Sequence, residues 1–157
     1  MTRIWSVRIA SVLPLVGMLS MSGCGIVEPL HDESSELSYN WERWITRGYS
    51  SYDFIVEHDC YCVMGGVPVE VSVRDGHVVD VVEADTGRPL PTNLAVLYRD
   101  IDGLFQVIDD AIARRAHSID ARYDGTYGFP TNVYIDYSYN TADEEFGFRI
   151  QAFYPIR

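Results

Sequence analysis

The cysteines Cys60 and Cys62 are the residues of this chain most able to do chemistry, and only Tyr61 separates them. Neighbouring thiols rarely remain free in an oxidising compartment, and this pair has no other partner if Cys24 is modified. Residues two apart on an extended strand have Cα atoms about 6.5 to 7 Å apart, so a disulfide requires the strand to bend. We predict a structural disulfide, whose small loop indicates little entropic stabilisation and a raised reduction potential.

A metal site or a redox-active dithiol is the alternative interpretation of the same segment. An extended backbone would direct an imidazole, two sulfurs and a thioether to one side, from His58, Cys60, Cys62 and Met64. Soft ligands of this kind suit copper or zinc. Apolar residues earlier in the segment share that face, which favours a core position for His58 and Met64 with no cofactor bound.

A segment rich in tyrosine and glycine, Tyr123 to Pro130, reads Tyr-Asp-Gly-Thr-Tyr-Gly-Phe-Pro. As a structural turn, it would use glycine at positions of positive φ and the Asp124 side chain as a cap. As a binding loop, it would expose Tyr127 near residues of the strand that follows. The candidate contact residues are Tyr123, Asp124, Tyr127, Tyr134 and Asp136.

Other residue combinations are poor candidates for catalysis or for calcium binding. The chain has no Lys, which excludes Schiff-base and P-loop lysine chemistry, and it has no G-x-S-x-G or H-E-x-x-H motif. The acidic residues Asp136, Asp143, Glu144 and Glu145 match no calcium loop and indicate a solvated hairpin. We therefore predict a protein that is not an enzyme.

The N-terminal segment resembles a bacterial lipoprotein signal. Arg3 and Arg8 form a basic start, an apolar run follows, and residues 21–24, Met-Ser-Gly-Cys, resemble a lipobox. The apolar run is too short for a membrane-spanning helix, which needs about 20 residues. We predict a signal peptide over residues 1–23 and a lipid-modified Cys24 that anchors the mature chain to a membrane.

The predicted mature chain is strongly acidic. The signal contains two of the 12 basic residues and none of the 23 acidic ones, which leaves a formal net charge of −13. This charge disfavours nucleic acid as a partner and suits basic proteins or simple solubility. An aspartate directly after the lipidated cysteine would retain the protein in the inner membrane, but residue 25 is Gly. We therefore expect an outer-membrane location facing the periplasm in a Gram-negative cell. Residues 24–35 are predicted to be a flexible tether to a single domain over residues 36–157.

Two helices are predicted from apolar residues at helical spacing. The first is expected to begin after Ser34 or Ser35 and to end at Gly48. Its apolar face is formed by Leu37, Trp41, Trp44 and Ile45. Asp100 is a good N-cap for the second helix, whose apolar stripe runs from Ile101 to Ile112.

Six strands are predicted from alternating apolar residues and turn signals, over residues 52–60, 67–73, 78–82, 119–123, 133–137 and 146–154. The Asp75-Gly76 pair indicates a hairpin between the second and third strands. A bulged turn there would bring Val79 and Val81, rather than Asp80, onto the apolar face. The predicted class is α+β, with an antiparallel sheet of about six strands packed on two helices in the order α-β-β-β-α-β-β-β.

Several motifs occur in an order that resembles a known family. They are the lipobox, Trp44 followed by Tyr52-Asp-Phe54, Cys60-Tyr-Cys62, Val71-Ser-Val-Arg-Asp-Gly76, Leu104-Phe105, and Tyr123-Asp-Gly-Thr-Tyr-Gly-Phe-Pro130 leading to Asp136. Together, over residues 37–154, they resemble the bacterial lipoproteins catalogued as domain of unknown function 6174. The resemblance implies a location in the cell envelope and a fold, and it carries no catalytic residue.

The sequence as a whole predicts a cell-envelope lipoprotein held to a membrane through Cys24. Its domain is expected to bind another envelope protein through the surface rich in tyrosine and aspartate that includes Tyr127 and Tyr134, because tyrosine offers a large amphipathic contact area. The alternative is a metal-binding or thiol-redox protein centred on Cys60 and Cys62.

Overall fold

The computed structural model describes the backbone of residues 30–140 and 144–156 and the side chains from Glu33 onward. The predicted signal peptide, Cys24 and Asp143 lie outside the described residues. The elements are α1 (Leu30–Arg47), β1 (Tyr52–Asp59), β2 (Pro68–Arg74), β3 (His77–Glu83), α2 (Thr92–Ala95), α3 (Ile101–Ala113), β4 (Ser118–Tyr123), β5 (Pro130–Asp136) and β6 (Phe146–Pro155).

The six strands form one antiparallel sheet in the order β3-β2-β1-β6-β5-β4. The first three strands of the chain therefore form one half of the sheet and the last three the other, with β1 and β6 paired at the centre. This arrangement confirms the predicted class and element order. The short helix α2 is an addition, since only two helices were predicted.

The core lies between one face of the sheet and the helices α1 and α3. Alternate residues of β1 are buried on this face, from Tyr52 to His58. Trp44 of α1 packs edge-on against Tyr52, with ring centroids 5.3 Å apart, and against Phe153 at 5.7 Å. Such aromatic pairs stabilise beyond the apolar area that they bury. This cluster fixes α1 across the middle of the sheet.

Helix α1 begins earlier than predicted, at Leu30 rather than after Ser34 or Ser35. The part of the predicted tether from residue 30 onward is therefore helical. The prediction also placed Ile45 on the core-facing side of this helix, but its side chain is 63% exposed. Leu37 and Trp44 do face the core, at 3% and 2% exposed.

Helix α3 is positioned by polar contacts at its N-terminus. The Asp100 side chain accepts a hydrogen bond from the Gly103 backbone at 2.8 Å, which confirms the predicted N-cap. The Ile101 backbone N–H donates to the Tyr52 hydroxyl at 3.0 Å. The Trp41 indole of α1 donates to Asp102 at 3.2 Å. These bonds tie the start of α3 to β1 and to α1.

The β2–β3 hairpin contains the predicted bulge. Val71 pairs with Val81 and Ser72 pairs with Asp80, and the register shifts before Val73 pairs with Val78. The shift buries Val81 at 6% exposed and turns Asp80 to the other side of the sheet. Val79 is the extra residue of the bulge and is 60% exposed, so only one of the two valines expected on the apolar face lies there.

Candidate functional site

The face of the sheet opposite α1 and α3 is a candidate surface for binding a partner, and we call it the open face. In an antiparallel pair, residues directly opposite each other point to the same side. The strand registers therefore place on the open face seven carboxylates and three guanidinium groups, from Asp53, Glu57, Asp59, Glu70, Asp80, Asp120, Asp136, Arg74, Arg122 and Arg149. The excess of acidic groups gives this face a negative potential.

Tyr134 lies in the half of the open face formed by β4, β5 and β6, and 42% of it is exposed. Its partner on β4 is Asp120 and its partner on β6 is Gly147. Gly147 also pairs with Asp59 of β1, so Tyr134 and Asp59 face each other across a residue without a side chain. Strands lie 4.7 to 4.9 Å apart, which puts the two Cα atoms about 10 Å apart.

The arginines of the open face neutralise only part of its charge. Arg74 bonds Asp53 at 2.7 Å, and Arg149 bonds Glu57 at 2.8 Å. Arg122 lies 3.8 Å from Asp120. None of the ion pairs among the described residues involves the other four carboxylates, Asp59, Glu70, Asp80 and Asp136.

Neighbouring carboxylates act on Tyr134. The pKa of its hydroxyl is raised above the ordinary tyrosine value, first by partial burial and then by the negative charges of Glu145, Asp136 and Asp59. These three carboxylates come from three separate parts of the chain. The site is therefore an exposed, neutral phenol surrounded by negative charge, an arrangement that favours contact with a cation.

The second notable feature is the loop from Cys60 to Gly66, which follows β1. The two cysteines stand at disulfide-bonding distance with their Cα atoms 5.3 Å apart, closer than an extended strand allows. The backbone bends as expected, and the Cys62 N–H donates to the Cys60 carbonyl at 2.9 Å. A side chain on Gly65 would meet the Cys60 carbonyl oxygen at 2.2 Å, so this tight loop requires glycine there.

The predicted metal ligands do not lie on one extended strand, because β1 ends at Asp59 and the chain turns. His58 is buried at 7% exposed and its ring stacks on Tyr98 with centroids 4.6 Å apart. Cys62 is exposed and Met64 is half-buried against the core. The described residues hold no group of three or more His, Cys, Asp or Glu side chains suited to a metal ion. The extended geometry that suggested copper or zinc is absent.

A cleft of about 750 Å³ opens beside the disulfide. It is lined by the end of β1, by the segment before α3, by one side of α3 and by the start of β6, and its lining includes His58, Cys60, Cys62, Arg99, Asp110 and Phe146. The cleft thus combines sulfur atoms, an apolar ring and charges of both signs. Its size is in the range of small-molecule and peptide sites.

The Tyr123 to Pro130 segment is a turn clamped against α1. Asp124 caps it, since its carboxylate accepts hydrogen bonds from the Thr126 and Tyr127 backbones at 2.8 and 2.7 Å. The Arg43 side chain donates to the Gly125 carbonyl, and the Arg47 side chain donates to the Thr126 carbonyl at 2.7 Å. These contacts favour the structural interpretation of the motif.

The five predicted contact residues are divided between two sides of the molecule. Tyr127 is half-buried and packs on Phe153 with ring centroids 5.2 Å apart, on the helix side of the sheet. Tyr123 is half-buried on the same side, stacked 6.2 Å from Phe105. Tyr134 and Asp136 belong to the open face instead. The expected single surface joining Tyr127 to Tyr134 is therefore wrong, because the sheet separates them.

Sequence reasoning missed Asp59 and Asp120 as members of the site. The alternation of β1 did indicate that Asp59 faces away from the core. Its approach to Tyr134 depends on the pairing of β1 with β6 and of β6 with β5, which no local pattern encodes. Asp120 likewise enters the site through the register of β4 and β5.

Comparison with known proteins identifies one family. A family model described as a family of unknown function, DUF6174, matches residues 36–155, in agreement with the resemblance of the sequence motifs. No curated protein and no solved structure matches the chain. Within the described part of the chain, no helix is both long and apolar enough to cross a membrane.

Proposed function

This chain belongs to the DUF6174 family of unknown function, and we propose that it is a lipid-anchored cell-envelope protein that binds a basic partner protein through its open face. The lipobox at residues 21–24 supports the anchor at Cys24. A location in the outer membrane facing the periplasm follows from the same signal for a Gram-negative host. The proposed role is binding rather than catalysis.

The observation that carries the binding proposal is the position of Tyr134, exposed among carboxylates on a sheet face that neither α1 nor α3 covers. Tyrosine is enriched in protein interfaces because its ring supplies apolar contact and its hydroxyl supplies a hydrogen bond. Isolated exposed tyrosines are ordinary, but Tyr134 has a carboxylate on either side across the strands. Asp120 of β4 is its direct partner, and Asp59 of β1 lies on the other side beyond Gly147. A lysine or arginine of a partner could contact the ring and the carboxylates together.

The charge of the open face indicates the class of partner. Four of its carboxylates take part in no ion pair among the described residues, so a basic surface would gain attraction without displacing arginine partners. Attraction over this distance also raises the association rate and weakens as ionic strength rises. Binding of the partner is therefore expected to be salt-sensitive.

The proposal is tested by affinity capture from an envelope extract of the native host. Wild-type protein is compared with Tyr134→Ala and with the double change Asp59→Asn, Asp136→Asn. Tyr39→Ala is the matched control, since Tyr39 is 64% exposed on α1, away from the open face. We expect each open-face variant to weaken capture about tenfold or more, as loss of a central interface residue does, and the control to bind normally.

The second part of the experiment varies the salt concentration during capture. Capture by the wild type should decline steadily between about 50 and 500 mM NaCl, because the attraction between exposed charges is screened. Equal capture by all four proteins, or capture unaffected by salt, would rule out the open face as the binding surface. Far-UV circular dichroism of each variant excludes misfolding as the cause of a loss.

A further inference from the structure

We propose that the Cys60–Cys62 disulfide is an exchange site that accepts electrons from a dithiol of another envelope protein. This activity goes beyond the binding function, because it uses the loop after β1 and the adjoining cleft instead of Tyr134 and its carboxylates. Three properties of the loop carry the inference: its cysteines are exposed or half-buried, the fold does not depend on the bond, and the pair lines a cleft that Arg99 also lines.

Accessibility comes from the position of the loop beyond the end of the sheet. Cys62 is exposed and Cys60 is half-buried. The residue between them, Tyr61, is 93% exposed, and Val63 is 81% exposed. Large apolar side chains at the tip of a loop offer a contact surface to an approaching protein. A partner can therefore reach the sulfur of Cys62 directly and the sulfur of Cys60 with more difficulty.

The loop is closed by backbone hydrogen bonds without the help of the disulfide. The Gly66 N–H donates to the His58 carbonyl at 2.9 Å, and the Gly65 N–H donates to the Cys62 carbonyl at 3.1 Å. The strand pairing of β1 with β6 is complete at Asp59, before the first cysteine. A disulfide that encloses one residue also constrains the unfolded chain very little. Its reduction is therefore expected to leave the fold intact.

The cleft beside the pair supplies room and charge for the reaction. Arg99 contributes the one guanidinium group among the residues that line it, which include both cysteines. A nearby cation lowers the pKa of a thiol and stabilises the thiolate that leaves when a disulfide is attacked. The cleft volume of about 750 Å³ is enough for a short peptide segment that carries the attacking thiols.

The exchange proceeds in two steps. A thiolate of the partner attacks Sγ of Cys62, the Cys60–Cys62 bond breaks, and Cys60 leaves with the electron pair as a thiolate. The second thiolate of the partner then attacks the first sulfur of the partner, which is bonded to Sγ of Cys62 in the mixed disulfide, and Cys62 leaves as a thiolate. The partner loses two electrons and two protons and gains a disulfide, while Cys60 and Cys62 become thiols. Each molecule of this protein therefore oxidises one dithiol of its partner.

In the first test, the full-length protein is equilibrated with mixtures of reduced and oxidised glutathione. Alkylation of free thiols then gives the fraction of the Cys60–Cys62 pair that is reduced. Cleavage at arginine releases the peptide Gly48–Arg74, which contains both cysteines and excludes Cys24, so modification of Cys24 does not affect the result. We expect the pair to be reduced at millimolar glutathione while the near-UV circular dichroism stays native. Resistance to glutathione until the protein unfolds would overturn the proposal.

The second test compares two matched variants that each retain one thiol of the pair. Cys60→Ser leaves the exposed Cys62, and Cys62→Ser leaves the half-buried Cys60. Iodoacetamide is expected to alkylate the first variant about tenfold faster than the second, because thiol reactivity follows exposure and thiolate content. Equal or reversed rates would contradict attack at Cys62. Tyr134→Ala should leave both measurements unchanged, which separates a failure here from a failure of the open-face proposal.

Discussion

At the scale of a single residue, burial decides what His58 can do. The imidazole lies at the core end of the cleft, stacked on Tyr98 and 5.4 Å from the Phe146 ring. The charged groups that line the same cleft are Arg99 and Asp110. Burial lowers the pKa of His58 below its ordinary value, because the charged imidazolium is poorly solvated there. His58 is therefore a neutral packing residue at physiological pH.

The lowered pKa makes a prediction about stability and pH. In the unfolded chain the pKa of His58 returns to about 6.5, so below that pH the unfolded state binds more protons than the folded state. The free energy of unfolding should then fall as pH decreases from 7.5 to 5, by up to about 1.4 kcal/mol per pH unit from this residue. His58→Phe should remove this part of the slope in urea titrations.

The control for this prediction is His77→Gln, because His77 is exposed in the β2–β3 hairpin. That variant should retain the wild-type slope between pH 7.5 and 5. The carboxylates whose pKa is lowered, Asp53 and Glu83, lose their stabilising contribution only at more acidic pH. A slope as steep in His58→Phe as in the wild type would show that another group titrates in this range.

At the scale of elements, the contact between α1 and the turn before β5 explains a sequence motif. Gly128 has a φ of +90°, and a side chain there would meet the Asn40 carbonyl oxygen at 2.6 Å. The backbone of the turn thus approaches α1 more closely than any other residue type allows. The glycine-rich motif therefore joins the turn to the helix.

The two glycines of this turn provide a matched pair of mutations. Gly128→Ala should lower the free energy of unfolding by about 2 to 4 kcal/mol, since it combines backbone strain with overpacking against α1. Gly125→Ala should change it by less than about 0.5 kcal/mol, because no atom lies within 4 Å of the added methyl group. Thermal or urea unfolding measures both. Similar losses in the two variants would refute the close packing.

Element positions were largely predictable from the sequence, because they follow from local patterns. The alternation in β1, the Asp100 cap and the bulge in the β2–β3 hairpin all appear where the residue types indicated. The start of α1 was not predicted, since the segment before Leu37 is mostly polar and has no apolar residues repeating at helical spacing. Acidic residues such as Glu33 nevertheless suit the first turn of a helix, where the dipole favours negative charge.

The candidate site was predicted only in part, because it depends on contacts between distant strands. Tyr134 and Asp136 were identified by residue type, and their strand does place them on the open face. Tyr127 was expected beside them, but packing against Phe153 holds it on the helix side. The approach of Asp59 to Tyr134 requires the β1–β6 register, which the sequence does not specify locally.

At the scale of the whole molecule, the lipid anchor and the acidic surface are expected to work together. A chain held at a membrane by Cys24 would present a domain of negative charge to proteins of the same compartment. Cys24→Ala should abolish incorporation of an alkyne-labelled fatty acid and release the protein from the membrane fraction. The double change Cys60→Ser, Cys62→Ser should retain the label. Labelling of the Cys24→Ala protein would disprove lipidation at this residue.

The most direct test of the central claim is site-specific photo-crosslinking in living cells of the native host. A benzophenone amino acid replaces either Asn132, which shares the open face with Tyr134, or Tyr39 on α1. We predict a crosslinked partner from position 132 that disappears when Asp59→Asn is introduced, and none from position 39. A crosslink from position 39 with none from position 132 would contradict the open face as the site of binding.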